Sequence, residues 1–141
     1  MPNGRLHHLG FVVANLNAGM AGFTRSLAAG WDGQAYEDPF QKVKVAFLVV
    51  SPGEASIELV EPAAEDSPVR RFLEKTGGGL HHVCYEVEDL SLEIAEMKSR
   101  KAMLIRKPKP AVAFAGRNIA WMLTAENLLV EFLEKGFRPT A

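Results

Sequence analysis

The sequence predicts an α+β fold made of two tandem modules, each with the element order β-α-β-β-β. An internal repeat supports this: the segment LHHLGFVV, which begins at Leu6, matches LHHVCYEV, which begins at Leu80, at a constant offset of 74 positions. Apolar and polar residues alternate within both segments, as in strands with one buried face. Each segment is followed by a helix-like stretch and further strand-like runs. The pattern therefore indicates a duplicated structural unit.

The first module starts with the alternating strand over Leu6–Val13. An apolar, alanine-rich stretch predicts a helix from about Asn17 to Ala29, and Gly30 is expected to end it. Two β-rich runs follow, separated by turn residues at positions 51–54. These runs cover Val43–Ser51 and Ala55–Glu61, and a weaker strand is predicted over Asp32–Glu37.

The second module repeats this order, with a helix whose N-terminus is capped by Asp89. Its predicted elements are a strand over Leu80–Val87, a helix over Leu90–Arg100, and strands over Met103–Lys107, Asn118–Thr124 and Leu128–Leu133.

A short helix is predicted between the modules, capped by Ser67, with Pro68 at its first position and an end near Lys75. The glycine triplet at positions 77–79 then breaks the helix. We therefore expect one domain over residues 1–141. It comprises a first module over 6–62, a linker over 63–79 and a second module over 80–135.

Composition excludes several classes of function. The formal net charge of −1 gives no reason to expect nucleic acid or an anionic membrane as a partner. Cys84 is the only cysteine, which excludes an intrachain disulfide and fits a reducing cytoplasm. The longest apolar run, Val45–Val50, is too short to span a bilayer, and the N-terminus has no signal-peptide pattern. We expect a soluble cytoplasmic protein with a small-molecule ligand.

The repeat also pairs four residues of ligand type. His8 and His82 occupy equivalent positions on the opening strands, and Glu58 and Glu131 occupy equivalent positions in the closing segments IELVE and VEFLE. In every case the flanking apolar residues point toward the helix, so the alternation of a strand turns these four side chains to the other face. Each module thus contributes one histidine and one glutamate to a common concave surface.

Two neutral imidazoles and two carboxylates form a mixed nitrogen and oxygen site that suits zinc, cobalt, nickel, manganese or iron. The alternative is that the histidines are hydrogen-bonded core residues and the glutamates are solvated. That alternative requires all four residues to occupy equivalent positions of the repeat by chance, so the divalent metal site is favoured.

From Leu6 to about Lys135 the chain resembles the vicinal oxygen chelate superfamily, which includes glyoxalase I, methylmalonyl-CoA epimerase, extradiol dioxygenases and bleomycin-resistance proteins. The resemblance implies paired modules that form a curved mixed sheet around a metal cup. It also implies a histidine on the first strand and a carboxylate or amide on the last strand of each module. These positions match His8, Glu58, His82 and Glu131, whereas His7 and His81 do not match and are expected to support the fold.

Within the superfamily the chain resembles the methylmalonyl-CoA epimerases in particular, through the stretches KVAFL, IELVEP and SPVRRFLEKTGGGLHHV. This resemblance implies a homodimer that binds a coenzyme A thioester and inverts its α-carbon. It also implies that a bound metal would hold the thioester carbonyl and a neighbouring carboxylate while a base removes the proton between them. Glu131, Glu58 and Glu86 are the candidate catalytic bases.

Other readings stay open because the chain departs from the epimerase pattern. No carboxylate occurs over Val43–Ala46, and the family's His-Pro-Lys stretch is absent after Met122. One alternative is a glyoxalase I-like lactoylglutathione lyase, whose ligands are two histidines and two glutamates. Another is a non-catalytic small-molecule binding protein of the antibiotic-resistance type. An extradiol dioxygenase fits less well. Its iron site uses two histidines and one carboxylate and leaves coordination positions open for oxygen and substrate, which Glu58 would crowd. A coenzyme A ester would need cationic groups for its phosphates. Six cationic side chains cluster at Lys98, Arg100, Lys101, Arg106, Lys107 and Lys109.

Overall fold

The computed structural model describes residues 4–136, which form two compact units. The first unit consists of residues 7–82, and the second consists of residues 83–136 together with residues 4–6. Both units combine helices with parallel and antiparallel strand pairs, so the predicted α+β class is confirmed. No helix within this described range is long and apolar enough to cross a membrane. The predicted module boundaries, 6–62 and 80–135, stay a prediction.

The first unit contains, in chain order, β1 (Arg5–Val12) from His7 onward, α1 (Leu16–Leu27), β2 (Gly30–Trp31), β3 (Tyr36–Asp38), β4 (Val43–Val49), β5 (Ser56–Pro62), α2 (Pro68–Thr76) and the start of β6 (Gly79–Val87) as far as His82. Its strands follow the order β2-β4-β5-β1, and β3 also pairs with β4. β1 runs parallel to β5, whereas β2, β3 and β5 are antiparallel to β4.

Two side chains hold the N-terminus of α1. The Asn15 Oδ1 atom accepts a hydrogen bond from the Ala18 amide at 2.8 Å, and the Glu61 Oε1 atom accepts one from the Leu16 amide at 2.9 Å. Both satisfy amides that have no partner inside a helix. The predicted end of the helix at Gly30 is wrong. Ala28 ends it earlier by adopting a left-handed φ of 51°, and Gly30 already pairs with β4.

The weak strand predicted over Asp32–Glu37 is also wrong as a continuous element. The Asp32 carboxylate accepts a hydrogen bond from the Gln34 amide at 2.8 Å, and Gly33 has a φ of +83°. This turn separates β2 from β3, because an aspartate that binds the backbone two residues later competes with strand geometry.

The second unit contains β6 (Gly79–Val87) from Val83 onward, α3 (Leu90–Ser99), β7 (Met103–Pro110), β8 (Asn118–Leu123) and β9 (Leu129–Glu134). Its strand order is β6-β9-β8-β7, with β6 parallel to β9 and the other pairs antiparallel. The predicted cap of α3 is confirmed, since the Asp89 carboxylate accepts a hydrogen bond from the Leu92 amide at 3.0 Å. The first strand of each unit thus runs parallel to the last, as a duplication requires.

Ser67 occupies the N-cap position of α2, but the predicted side-chain cap is wrong. The Arg70 amide, which a capping hydroxyl would bind, donates instead to the Ser67 backbone carbonyl at 3.1 Å. The helix ends as predicted at the glycine triplet, where Gly77 adopts a left-handed φ of 78° and its amide donates to the Leu73 carbonyl.

We expect Leu59→Ala to destabilise the protein by about 2–5 kcal/mol, because Leu59 is fully buried in a cluster with Met20 and Leu48. Urea unfolding followed by circular dichroism measures this loss of stability. Leu92→Ala is the control: it removes a side chain that is 57% exposed and is expected to change the stability by less than about 0.5 kcal/mol. A loss for Leu59→Ala as small as that expected for Leu92→Ala would contradict the assignment of Leu59 to the core.

Candidate metal centre

Three strands of the first unit bring His8, Glu58 and His82 together. Phe11 on β1, together with Ile57 and Leu59 on β5, packs toward the Leu16 and Met20 side chains of α1. His8 and Glu58 alternate with these residues and therefore face the other side of the sheet. His82 lies near the start of β6, and its ring nitrogen meets both of them.

The donor atoms of these three residues converge closely. The His8 and His82 Nε2 atoms are 3.2 Å apart, and the Glu58 Oε1 atom is 3.4 Å from His8 Nε2 and 3.2 Å from His82 Nε2. All three side chains are buried. Metal bonds to nitrogen and oxygen of about 2.0–2.2 Å place neighbouring ligand atoms about 2.9–3.5 Å apart in tetrahedral or octahedral geometry. The spacing and the chemistry of this donor set fit a divalent metal.

Glu58 carries a negative charge in this arrangement. Burial raises the pKa of the Glu58 carboxyl, but the charges and hydrogen bonds of His8 and His82 outweigh that effect and hold the pKa well below its usual value of 4.5. Because the folded pKa is depressed, the resulting stabilisation is present above the unfolded value and is lost only as the pH falls through the folded value. The carboxylate is therefore ready to bind a cation throughout the neutral range.

Gly10 provides the space for the His82 imidazole. A Cβ atom at this position would lie less than 3.0 Å from three atoms of the His82 ring, closer than real Cβ atoms approach. On the neighbouring strand, Phe47 contacts the His8 ring edge to face, with the ring centroids 5.5 Å apart. Backbone and aromatic surfaces thus fix both imidazoles.

Glu131, the fourth predicted ligand, belongs to β9 of the second unit and is only 2% exposed. It pairs with Cys84 on β6 and with Trp121 on β8. Glu58 has neighbours at the equivalent positions of the first unit, since it pairs with Gly10 on β1 and with Phe47 on β4. The duplication predicted from the sequence therefore extends to the strand register around both glutamates.

Glu86 also lies in the second unit, where arginines hold its carboxylate. The Arg117 Nη1 atom donates to Glu86 Oε2 at 2.8 Å, and Arg5 Nη2 is 3.8 Å from Glu86 Oε1. The Glu86 side chain is 10% exposed, so its charge is largely removed from water and balanced by these cations.

The outer histidines of the two doublets have contacts that sequence reasoning missed. His7 Nδ1 lies 2.9 Å from His8 Nδ1, and His81 Nδ1 lies 2.9 Å from His82 Nδ1. Side-chain alternation assigned His7 and His81 to support of the fold, because neighbours on a strand point to opposite faces. The doublets themselves were the available signal, since rotation about χ1 can bring the Nδ1 atoms of adjacent imidazoles together.

Comparison with known proteins identifies the family. Residues 7–121 match the family model described as "Glyoxalase/Bleomycin resistance protein/Dioxygenase superfamily". The chain is 33% identical over 120 residues to the ethylmalonyl-CoA/methylmalonyl-CoA epimerase of Cereibacter sphaeroides. The aligned segment covers 84% of this chain and 87% of that protein.

Solved structures have the same fold. A hypothetical protein from Bacillus halodurans is 32% identical with a TM-score of 0.84, over 98% of this chain and 99% of its own. The methylmalonyl-CoA epimerase of Mycobacterium tuberculosis is 24% identical with a TM-score of 0.83, over 94% of this chain and 89% of its own. The resemblance deduced from the sequence is thereby confirmed, and the chain belongs to the glyoxalase/bleomycin resistance protein/dioxygenase superfamily.

Proposed function

We propose that this protein is a metal-dependent epimerase of an acyl-coenzyme A thioester, similar to the methylmalonyl-CoA epimerases. The convergence of His8, Glu58 and His82 donor atoms within 3.4 Å is the observation that carries the proposal. The relative from Cereibacter sphaeroides, at 33% identity over most of the chain, supports the reaction and the substrate class.

In this proposal His8, Glu58, His82 and Glu131 hold one divalent ion of cobalt, zinc, nickel or manganese. The strand register that Glu131 shares with Glu58 supports its assignment as the fourth ligand. Two carboxylates and two neutral imidazoles carry a net charge of −2, which balances a divalent cation in a buried environment. When bound, the metal would supply positive charge that stabilises the negative charge gained by the thioester carbonyl on loss of the α-proton.

Glu131 is the carboxylate that we propose as the base. Glu58 is poorly suited to take a proton, because its pKa is held well below the usual range by His8 and His82. Glu86 is poorly suited as well, because its carboxylate is already paired with Arg117 and Arg5. Glu131 would remove the α-proton from one face of the carbon, and delivery of a proton from a second donor on the opposite face would invert the centre.

The phosphates of a coenzyme A thioester require cations, and an exposed basic cluster of the second unit supports their binding. The cluster extends from the end of α3 along β7 and comprises Lys98, Arg100, Lys101, Arg106, Lys107 and Lys109.

We propose further that the protein acts as a homodimer in the cytoplasm.

Deuterium exchange tests the reaction and the base together. The protein is incubated with methylmalonyl-CoA in heavy water, with and without added Co²⁺, and deuterium at the α-carbon is measured by mass spectrometry. We expect metal-dependent exchange in the parent. Glu131→Gln is expected to lower the exchange rate about 10²–10⁴-fold, because the amide keeps a ligand oxygen but removes the base.

Glu86→Gln is the matched control and is expected to keep most of the exchange activity. Loss of exchange in Glu86→Gln with retention in Glu131→Gln would reverse the assignment of the base. The absence of any exchange in the metal-loaded parent would contradict the epimerase proposal. The lactoylglutathione lyase alternative predicts turnover of methylglyoxal with glutathione instead, and the binding-protein alternative predicts turnover of neither substrate.

A further inference from the structure

Each ligand histidine in the first unit has a second imidazole at its other ring nitrogen. The Nδ1 atoms of His7 and His8 are 2.9 Å apart, and so are those of His81 and His82. The ring centroids are 5.1 Å apart in both doublets, and the rings meet edge to face at 77° and 89°. The same contact therefore occurs at both repeated positions.

The proton arrangement follows from the ligand role. A histidine that binds a metal through Nε2 keeps its lone pair there, so the neutral ring must carry its proton on Nδ1. His8 Nδ1 and His82 Nδ1 are then donors. The atoms facing them at 2.9 Å, His7 Nδ1 and His81 Nδ1, must be acceptors.

Without a metal the requirement reverses. His8 Nε2, His82 Nε2 and Glu58 Oε1 lie within 3.4 Å of one another, and three facing lone pairs repel unless a nitrogen carries a proton. When the ring that carries this proton on Nε2 is neutral, its Nδ1 is an acceptor, and its outer partner then donates. The outer residue must therefore be able both to accept and to donate, as an imidazole can.

We propose that His7 and His81 are positioning residues whose Nδ1 atoms accept hydrogen bonds from His8 and His82 and so select the ring tautomer that binds metal. This inference rests on the proposed metal site and extends it to residues that touch no metal. Partners of this kind orient ligand rings, and their loss weakens metal affinity about 10–100-fold in other proteins. Phe72 contacts the His81 ring edge to face at 4.9 Å and restricts its rotation.

Nitrogen NMR of the parent protein loaded with Zn²⁺ tests the tautomer directly. We expect His8 and His82 to carry their proton on Nδ1, and His7 and His81 to have an unprotonated Nδ1. Protons on Nε2 of the ligand pair, or on Nδ1 of the outer pair, would overturn the inference. This measurement needs no variant and so does not depend on the folding of one.

Zinc affinity of matched variants provides the second test, with circular dichroism as a check on folding. His7→Phe and His81→Phe keep a ring but lose the acceptor, and each is expected to weaken zinc binding at least about tenfold. His7→Asn and His81→Asn place an amide oxygen near the former Nδ1 position, so they are expected to restore most of the affinity. Phe72→Leu leaves every nitrogen in place and controls for packing.

The outcomes separate this inference from the proposed function. Parent protein that binds Zn²⁺ while both phenylalanine variants bind it equally well would overturn the role of His7 and His81 alone. Phenylalanine and asparagine variants that lose affinity to the same extent would also overturn it, because the loss would then not depend on the acceptor. Parent protein that binds no Zn²⁺ would overturn both proposals.

Discussion

His8→Ala and Glu131→Ala are each expected to weaken binding of a divalent metal by about 100-fold. Four-ligand zinc sites bind with about 10–16 kcal/mol, or roughly 3 kcal/mol per ligand, and 3 kcal/mol corresponds to about 100-fold in Kd. Equilibrium dialysis followed by elemental analysis measures stoichiometry and affinity. Glu86→Ala is the control with unchanged affinity, because the Glu86 carboxylate is bound by Arg117 at 2.8 Å.

This experiment discriminates sharply between the metal site and a hydrogen-bonded core. If these residues form only a hydrogen-bonded core, the parent protein would carry no stoichiometric metal, and His8→Ala would lose stability alone. A result in which His8→Ala loses metal but Glu131→Ala binds it normally would restrict the ligand set to the first unit.

The pH dependence of metal affinity provides a further part of this prediction. The Glu58 pKa is held well below 4.5, so protons do not compete for this carboxylate in the neutral range. Metal binding through Nε2 needs a neutral imidazole, so protons that bind the histidine ligands compete with the metal. Affinity should therefore fall as the pH decreases and should rise again on return to higher pH.

Gly10→Ala is expected to have an effect as large as the loss of a ligand, although position 10 has no donor atom. The added Cβ would lie less than 3.0 Å from the His82 ring, so the imidazole must move away from His8 and Glu58. We expect metal affinity to fall by about 100-fold, as for a missing ligand. Overpacking is expected to cost about 1–3 kcal/mol of stability in addition.

Gly22→Ala is the matched control for this substitution. Gly22 lies within α1, and a Cβ there would meet no atom within 4 Å among the described residues. Alanine in a helix interior is expected to stabilise the protein by about 0.5–1 kcal/mol and to leave metal affinity unchanged. Normal metal binding by Gly10→Ala would disprove the role of Gly10 as the space that seats His82.

The strand alternation was predictable from the sequence because burial of one face imposes a period of two. It correctly identified Phe11 and Leu59 as residues on the helix side, opposite His8 and Glu58. Element ends were less predictable, because they depend on partners distant in sequence. β7 continues through Pro108 to Pro110, beyond the predicted Lys107. Among the described strands β8 is its only partner, and an edge strand tolerates proline.

The sequence by itself determined the duplication, the α+β class and the four candidate ligands, because these depend on residue type and strand period. Only the tertiary structure decided the surroundings of each candidate. Glu86 meets Arg117 across 31 positions of the chain, and the His82 ring lies over Gly10. The physical reason is that ring orientation, charge pairing and close backbone approach depend on neighbours brought together by strand pairing, and local sequence patterns carry no record of them.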